Sequence, residues 1–126
     1  MANSNGYNLT HKAGSRFVIS GSFAPNGASA ISSSSVLGAG FTVARSGVGE
    51  YTITLNDSWV AVDSATATLQ MAAATDLLLQ WGAIDVVTAK TLVLRAQAGA
   101  TPTEIAANAA NRVHFELVLR NTTVTP

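Results

Sequence analysis

Apolar and polar residues alternate with a period of two along much of this chain, which is the spacing of strands rather than helices. From Tyr51 to Asn56, Tyr51, Ile53 and Leu55 share one face, while Thr52, Thr54 and Asn56 share the other. From Val113 to Arg120, Val113, Phe115, Leu117 and Leu119 alternate with His114, Glu116, Val118 and Arg120. Successive side chains of a strand point to opposite faces, so each segment offers one dry face and one wetter one. Other segments carry the pattern less cleanly. Arg16–Phe23 puts Phe17, Ile19 and Phe23 on one side, and Gly40–Arg45 carries Phe41 and Val43. Ala65–Ala72 alternates Ala or Leu with Thr and Gln, and Thr91–Gln97 sets Leu92 and Leu94 opposite Val93 and Arg95. Leu77–Ile84 is apolar on both faces and reads as a central, well-covered strand.

The connections follow from glycine and serine. Ser46-Gly47-Val48-Gly49 separates two alternating runs and predicts a β-hairpin turn, with Gly supplying the positive φ. Thr101-Pro102-Thr103-Glu104 matches a helix start, with an N-cap Thr, Pro at the first helical position and Glu at the third. A turn or two through Ile105–Ala110 is the expectation there, with a loop as the alternative. The Ala-rich stretch Ala65–Trp81 also admits a helix, because Ala is the best helix former. Thr66, Thr68 and Thr75 count against it, since β-branched side chains are stiff in helices.

Two regions lack the pattern. Residues 1–14 are polar apart from Tyr7 and Leu9 and read as an extended N-terminal arm. Residues 24–39 form a long Gly/Ser-rich loop with four consecutive serines at 32–35. Loops of that length are uncommon in compact domains unless functional or mobile. Both regions are places where a small β domain could grip a neighbour. About seven short strands, no internal repeat and no linker predict one all-β domain over residues 15–126, an antiparallel β-sandwich or jelly roll.

Composition sharpens this picture. The chain is 48% hydrophobic but only 11% charged, less than half the usual ~25%. It should therefore fold, and its surface is either hydroxyl-rich or partly covered by other protein. Seven basic residues balance seven acidic ones without clustering, which speaks against nucleic-acid binding. Cysteine is absent, so disulfides and thiolate chemistry are excluded. The opening residues lack a signal-peptide pattern, and no apolar run approaches the ~20 residues of a membrane helix. Synthesis in a cytoplasm without a membrane anchor is the expectation.

Candidate chemistry is sparse. His11 and His114 are the only imidazoles, and neither has metal-ligand company at a usual spacing. His114 and Glu116 share the polar face of one strand, as a solvent-facing pair or as a carboxylate–imidazole contact. No nucleophile elbow, paired carboxylates or phosphate loop is present. The sequence thus predicts no catalytic residue, cofactor or metal, and a structural or binding protein rather than an enzyme. Trp81 reads as core, and Trp59 as core first and interface second. Arg16, Arg45, Arg95, Arg112 and Arg120 outnumber Lys12 and Lys90, which suits either cross-strand pairing or subunit contacts. Tyr7, Leu9, Arg16, Arg45, Trp59 and Arg112 are the candidate interface residues.

Three segments resemble small structural proteins of tailed bacteriophages. The stretch Gly40–Leu55 ends one strand in Arg45, turns at Ser46–Gly49 and opens the next at Tyr51. The ending Asn111–Thr122 and the opening Gly21-Ser22-Phe23-Ala24-Pro25-Asn26-Gly27 are similar to such chains as well. Together they cover under half the chain, in an order that suits nearly all of it. The family they most resemble is the capsid decoration, or cement, proteins. The resemblance implies a β domain, often an oligomer, on the outer surface of the phage head, and a homotrimer is the favoured expectation. Its partner would be the major capsid protein, and it would brace the shell against packaged DNA. A Gly-x-Tyr strand start also occurs in tail-fibre domains, so a tail-fibre or receptor-binding adaptor is the alternative. Neither implies a nucleic-acid or membrane partner.

Overall fold

The computed structural model describes residues 16–121. It contains nine strands: β1 (Arg16–Phe23), β2 (Leu37–Gly38), β3 (Phe41–Gly47), β4 (Glu50–Leu55), β5 (Ala61–Gln70), β6 (Leu77–Asp85), β7 (Thr91–Ala98), β8 (Thr101–Pro102) and β9 (Arg112–Arg120). They form two antiparallel sheets, one ordered β2-β1-β9-β5 and the other β3-β4-β7-β6, with the short β8 beside β7. No helix among the described residues is long and apolar enough to cross a membrane.

The alternation in the sequence becomes the inner and outer faces of this sandwich. On β9, Val113, Phe115, Leu117 and Leu119 are buried. Their strand neighbours on β1 are Phe23, Gly21, Ile19 and Phe17 in the same order. From the other sheet, Tyr51, Ile53, Leu55, Leu92, Leu94 and Ala96 complete one core cluster. Two aromatic pairs bridge the sheets: Phe23 meets Tyr51 at 5.2 Å, and Phe41 meets Phe115 edge-on at 4.9 Å. Each fully buried side chain of this size contributes roughly 1.5–3 kcal/mol.

The predicted hairpin is present. β3 turns into β4 at Gly47–Glu50, and Gly49 supplies φ +59°. Ala65–Trp81 is two strands and a loop, not a helix. Two expectations need correction. Leu77–Ile84 is not a central strand, because β6 is the edge of its sheet and borders β7 alone. Leu77, Leu79 and Trp81 pack on the core, while Leu78 points outward at 62% exposure. Residues 101–110 are not helical either. Thr101 and Pro102 form β8 along β7, and a strap runs on from there to a turn in which the Asn111 amide donates to the Asn108 carbonyl. Glu104 does not turn back to cap its own backbone. Its carboxylate takes Arg45 and accepts a hydrogen bond from the Gly49 amide at 2.9 Å.

The serine-rich loop is also structured in part. Ser33–Ser35 is a 3-10 turn, followed directly by β2. Ile31 and Val36 from this loop pack on the core beside Val43 of edge strand β3. Arg112 pins the loop, donating to the Ser35 carbonyl at 3.0 Å and to Ser22 Oγ at 2.8 Å. One side of the sandwich, the β2–β3 side, is therefore closed by the protein's own chain.

Candidate interaction surface

Tyr7 and Leu9, with the arm expected over residues 1–14, lie outside the described residues. The other candidate interface residues are spread over the domain and engaged within it. Arg16 and Arg120 both hold Asp63, at 3.0 and 2.8 Å. Arg45 pairs with Glu104 across 59 positions of sequence. Arg112 holds the serine loop. Trp59 packs on Phe17 with ring centroids 5.3 Å apart, and its amide donates to the Val86 carbonyl. Its indole N–H is buried without a hydrogen-bond partner among the described residues. Arg95 lies 3.5 Å from Glu50. All five arginines have polar partners inside the fold: Arg95 across adjacent strands, Arg16 and Arg120 on the shared Asp63, Arg45 on the strap and Arg112 on Ser22 and the serine loop.

The Arg45–Glu104 pair has an electrostatic consequence. Hydrogen bonding from Arg45, then from the Gly49 amide, holds the Glu104 carboxyl below the usual carboxylate range, against an opposing effect of burial. Asp85 is lowered too, chiefly by the Thr88 amide, with the Ala89 and Val87 amides adding. Beneath the strap, burial pushes the Tyr51 phenol up, and the Glu104 charge adds to it. For both carboxylates the folded-state value is depressed. Their stabilisation is full above the ordinary carboxylate range of about 4 and is lost as pH falls through the lower folded values. Thermal melts between pH 7 and 3 should be flat near neutrality and fall steeply at the acid end. Glu104→Gln should lower stability at pH 7 and shrink that acid-side fall; an unchanged acid-side slope would remove Glu104 from this role.

The described residues form three concave regions, the smallest, of about 210 Å³, between the serine loop and β3, lined by Ile31, Ser33, Val36, Phe41, Thr42 and Val43. On the outer face of the β2-β1-β9-β5 sheet, an open groove of about 570 Å³ is lined by Ser20, Ser22, Leu37, Thr66, Thr68, His114 and Glu116. His114 Nε2 meets the Gln70 side-chain oxygen at 2.9 Å rather than a carboxylate. The groove offers hydroxyls, one imidazole and one carboxylate. No group of three His, Cys, Asp or Glu side chains that could hold a metal occurs among the described residues.

The second region lies where the edges of the two sheets, β5 and β6, face the same side. It is a cleft of about 490 Å³ lined by Val60, Ala61, Val62, Ala65, Ile84 and Val87, among others. Val60, Ile84 and Val87 are 40%, 40% and 57% exposed, and Leu78 lies farther along β6. Sequence reading missed this region. Its residues come from two segments about twenty positions apart, Val60–Ala65 and Ile84–Val87, and only the strand order makes β5 and β6 neighbouring edges.

A further surface is the outer face of the other sheet. Outward on β3, β4 and β7, Thr42, Thr54 and Thr91 form one cross-strand row, and Ala44, Thr52 and Val93 the next. The row beyond contains the Glu50–Arg95 pair and Gln80. Thr52 Oγ1 donates to Ser46 Oγ at 2.9 Å, and Ser46 Oγ donates to Glu50. No family model, no curated protein and no solved structure matches this chain.

Proposed function

We propose that this chain is a structural subunit of a virus particle, a decoration domain that binds the outer surface of a tailed-phage head and stabilises it. The reading rests on the sequence resemblance, and one geometric observation supports it. The outer face of the β3-β4-β7 sheet presents hydroxyls and methyls in register across three strands, without an uncompensated charge. A neutral face that spreads across three strands suits a broad protein partner better than a small substrate, which needs a concave pocket with converging polar groups. Charge pairing spent inside the fold leaves binding to shape and desolvation, and many copies on a repeating shell sum weak contacts.

The test is copy number in purified particles of the source system, measured by quantitative mass spectrometry against the major capsid protein. Copies on the scale of the shell subunit are expected. A handful would move the protein to the tail, and none would remove the viral reading. Thr52→Lys in the middle of this face should then cut occupancy of the shell at least tenfold without changing the melting temperature. Full occupancy by that variant would exclude this face as the contact.

A further inference from the structure

We infer that Asn26–Gly27 is a self-modification site gated by the strap: the Ile105 carbonyl holds the Gly27 amide out of reaction, and Asn26 deamidates to isoaspartate or aspartate only when the strap lifts. This does not depend on the shell-binding reading and concerns a different part of the molecule.

The chemistry is intrinsic to the pair. The Gly27 nitrogen gives its proton to water or hydroxide and attacks the side-chain carbonyl carbon of Asn26. The new C–N bond closes a succinimide ring, and the side-chain amide leaves as ammonia, taking up a proton. Water then opens the ring at one of its two carbonyls, giving isoaspartate or aspartate. Glycine makes this attack easiest because no side chain shields its nitrogen. The surroundings do not shield it either: Asn26 is exposed, and a Cβ built on Gly27 would meet nothing within 4 Å.

Two hydrogen bonds stand against the reaction. Asn26 Nδ2 donates to the Ala30 carbonyl at 3.2 Å, and the Gly27 amide donates to the Ile105 carbonyl at 3.0 Å. The first is an exposed bond within one turn and opens readily. The second joins residues far apart in sequence, and its acceptor is fixed from all sides. The Ile105 side chain is fully buried, the Thr103 amide donates to Ala96, and Glu104 holds Arg45 and the Gly49 amide. The nucleophile is therefore freed by opening of the strap, and strap opening sets the rate.

The product would not fit the turn it forms in. The Ser29 amide donates to the Asn26 main-chain carbonyl at 3.0 Å. In isoaspartate that carbonyl becomes a free carboxylate, and the main chain runs through the former side chain, one methylene longer. In either product the donor to Ala30 is lost, and a chain of zero formal net charge gains a negative one. This turn begins the loop that lays Ile31 and Val36 on the core, so modification loosens the cover of the β2–β3 side.

The experiment follows isoaspartate and aspartate at position 26 by peptide mapping, in the full chain held at mildly alkaline pH. Mapping is needed because a second Asn-Gly pair, Asn5–Gly6, lies outside the described residues. Conversion at Asn26 should be at least tenfold slower in native buffer than in urea. Glu104→Gln should speed it at least threefold in native buffer, with unchanged circular dichroism. Phe115→Leu, a core change on the opposite sheet, should not, although it also lowers stability. Equal rates in buffer and urea overturn the protection. Glu104→Gln without effect, or Phe115→Leu with an equal one, overturns the strap as the gate.

Discussion

Gly49→Ala is expected to destabilise the domain several times more than Gly27→Ala, although both glycines sit at φ +59°. A non-glycine residue in that region costs about 1 kcal/mol, and Gly27 should show little else, because a Cβ there meets nothing within 4 Å. At Gly49 the same methyl would lie 2.5 Å from the Thr103 carbonyl oxygen, 2.6 Å from that of Ala96 and 2.8 Å from the Thr103 nitrogen. All three are backbone atoms and cannot rotate aside. Ala96 donates its amide to the Gly49 carbonyl, and Gly49 donates its own to Glu104, so the collision falls where the hairpin, β7 and the strap are bonded together. Overpacking of this kind adds roughly 1–3 kcal/mol to the strain, for a total of about 2–4 kcal/mol. A total of that size is a large share of a stability of ~5–15 kcal/mol. Urea titration of both variants measures it. Equal losses would mean that the strap moves away freely, and that the Arg45–Glu104 pair does not hold it.

That junction also shows why part of the fold was legible in the sequence and part was not. Tyr51–Leu55 and Val113–Leu119 announce themselves because each has one face wholly in the core, so period two survives intact. The Ser46–Gly49 turn is equally local. The helix start at Thr101 fails because its decisive partner, Arg45, is remote in sequence, and a charged, hydrogen-bonded pair outweighs a cap. Leu77–Ile84 fails for another reason. A central strand and an uncovered edge strand both carry apolar residues on two faces, and only strand order separates them. The arginines follow the same logic: the Asp63 partner of Arg16 and Arg120 appears only once β1, β9 and β5 lie side by side. The β5–β6 cleft had no local signal at all.

Phe115→Ala carries the other large effect, a loss of about 3–5 kcal/mol, because it removes a buried ring from the centre of the sandwich. Phe115 lies on β9, which has a strand on each side, so the backbone there cannot close inward without shifting β1 and β5. Its ring stands edge-on against Phe41, and Phe41 is itself pressed close to Gly21 and Gly38. A Cβ on Gly21 would lie 2.2 Å from the Phe41 ring, so the space under Phe41 is already full. Phe41 thus has one direction in which to relax, toward the cavity that Phe115 leaves. For a domain of ~100 residues each kcal/mol moves the melting temperature by about 4–8 °C, so the midpoint should drop by more than ~10 °C. Glu116→Ala, one position along on the exposed face, should stay within about 0.5 kcal/mol. A small loss for Phe115→Ala would mean that Phe41 swings in and fills the site. Phe41→Ala combined with Phe115→Ala would then cost far more than the two single changes added together, since neither ring would remain to fill the space between the sheets.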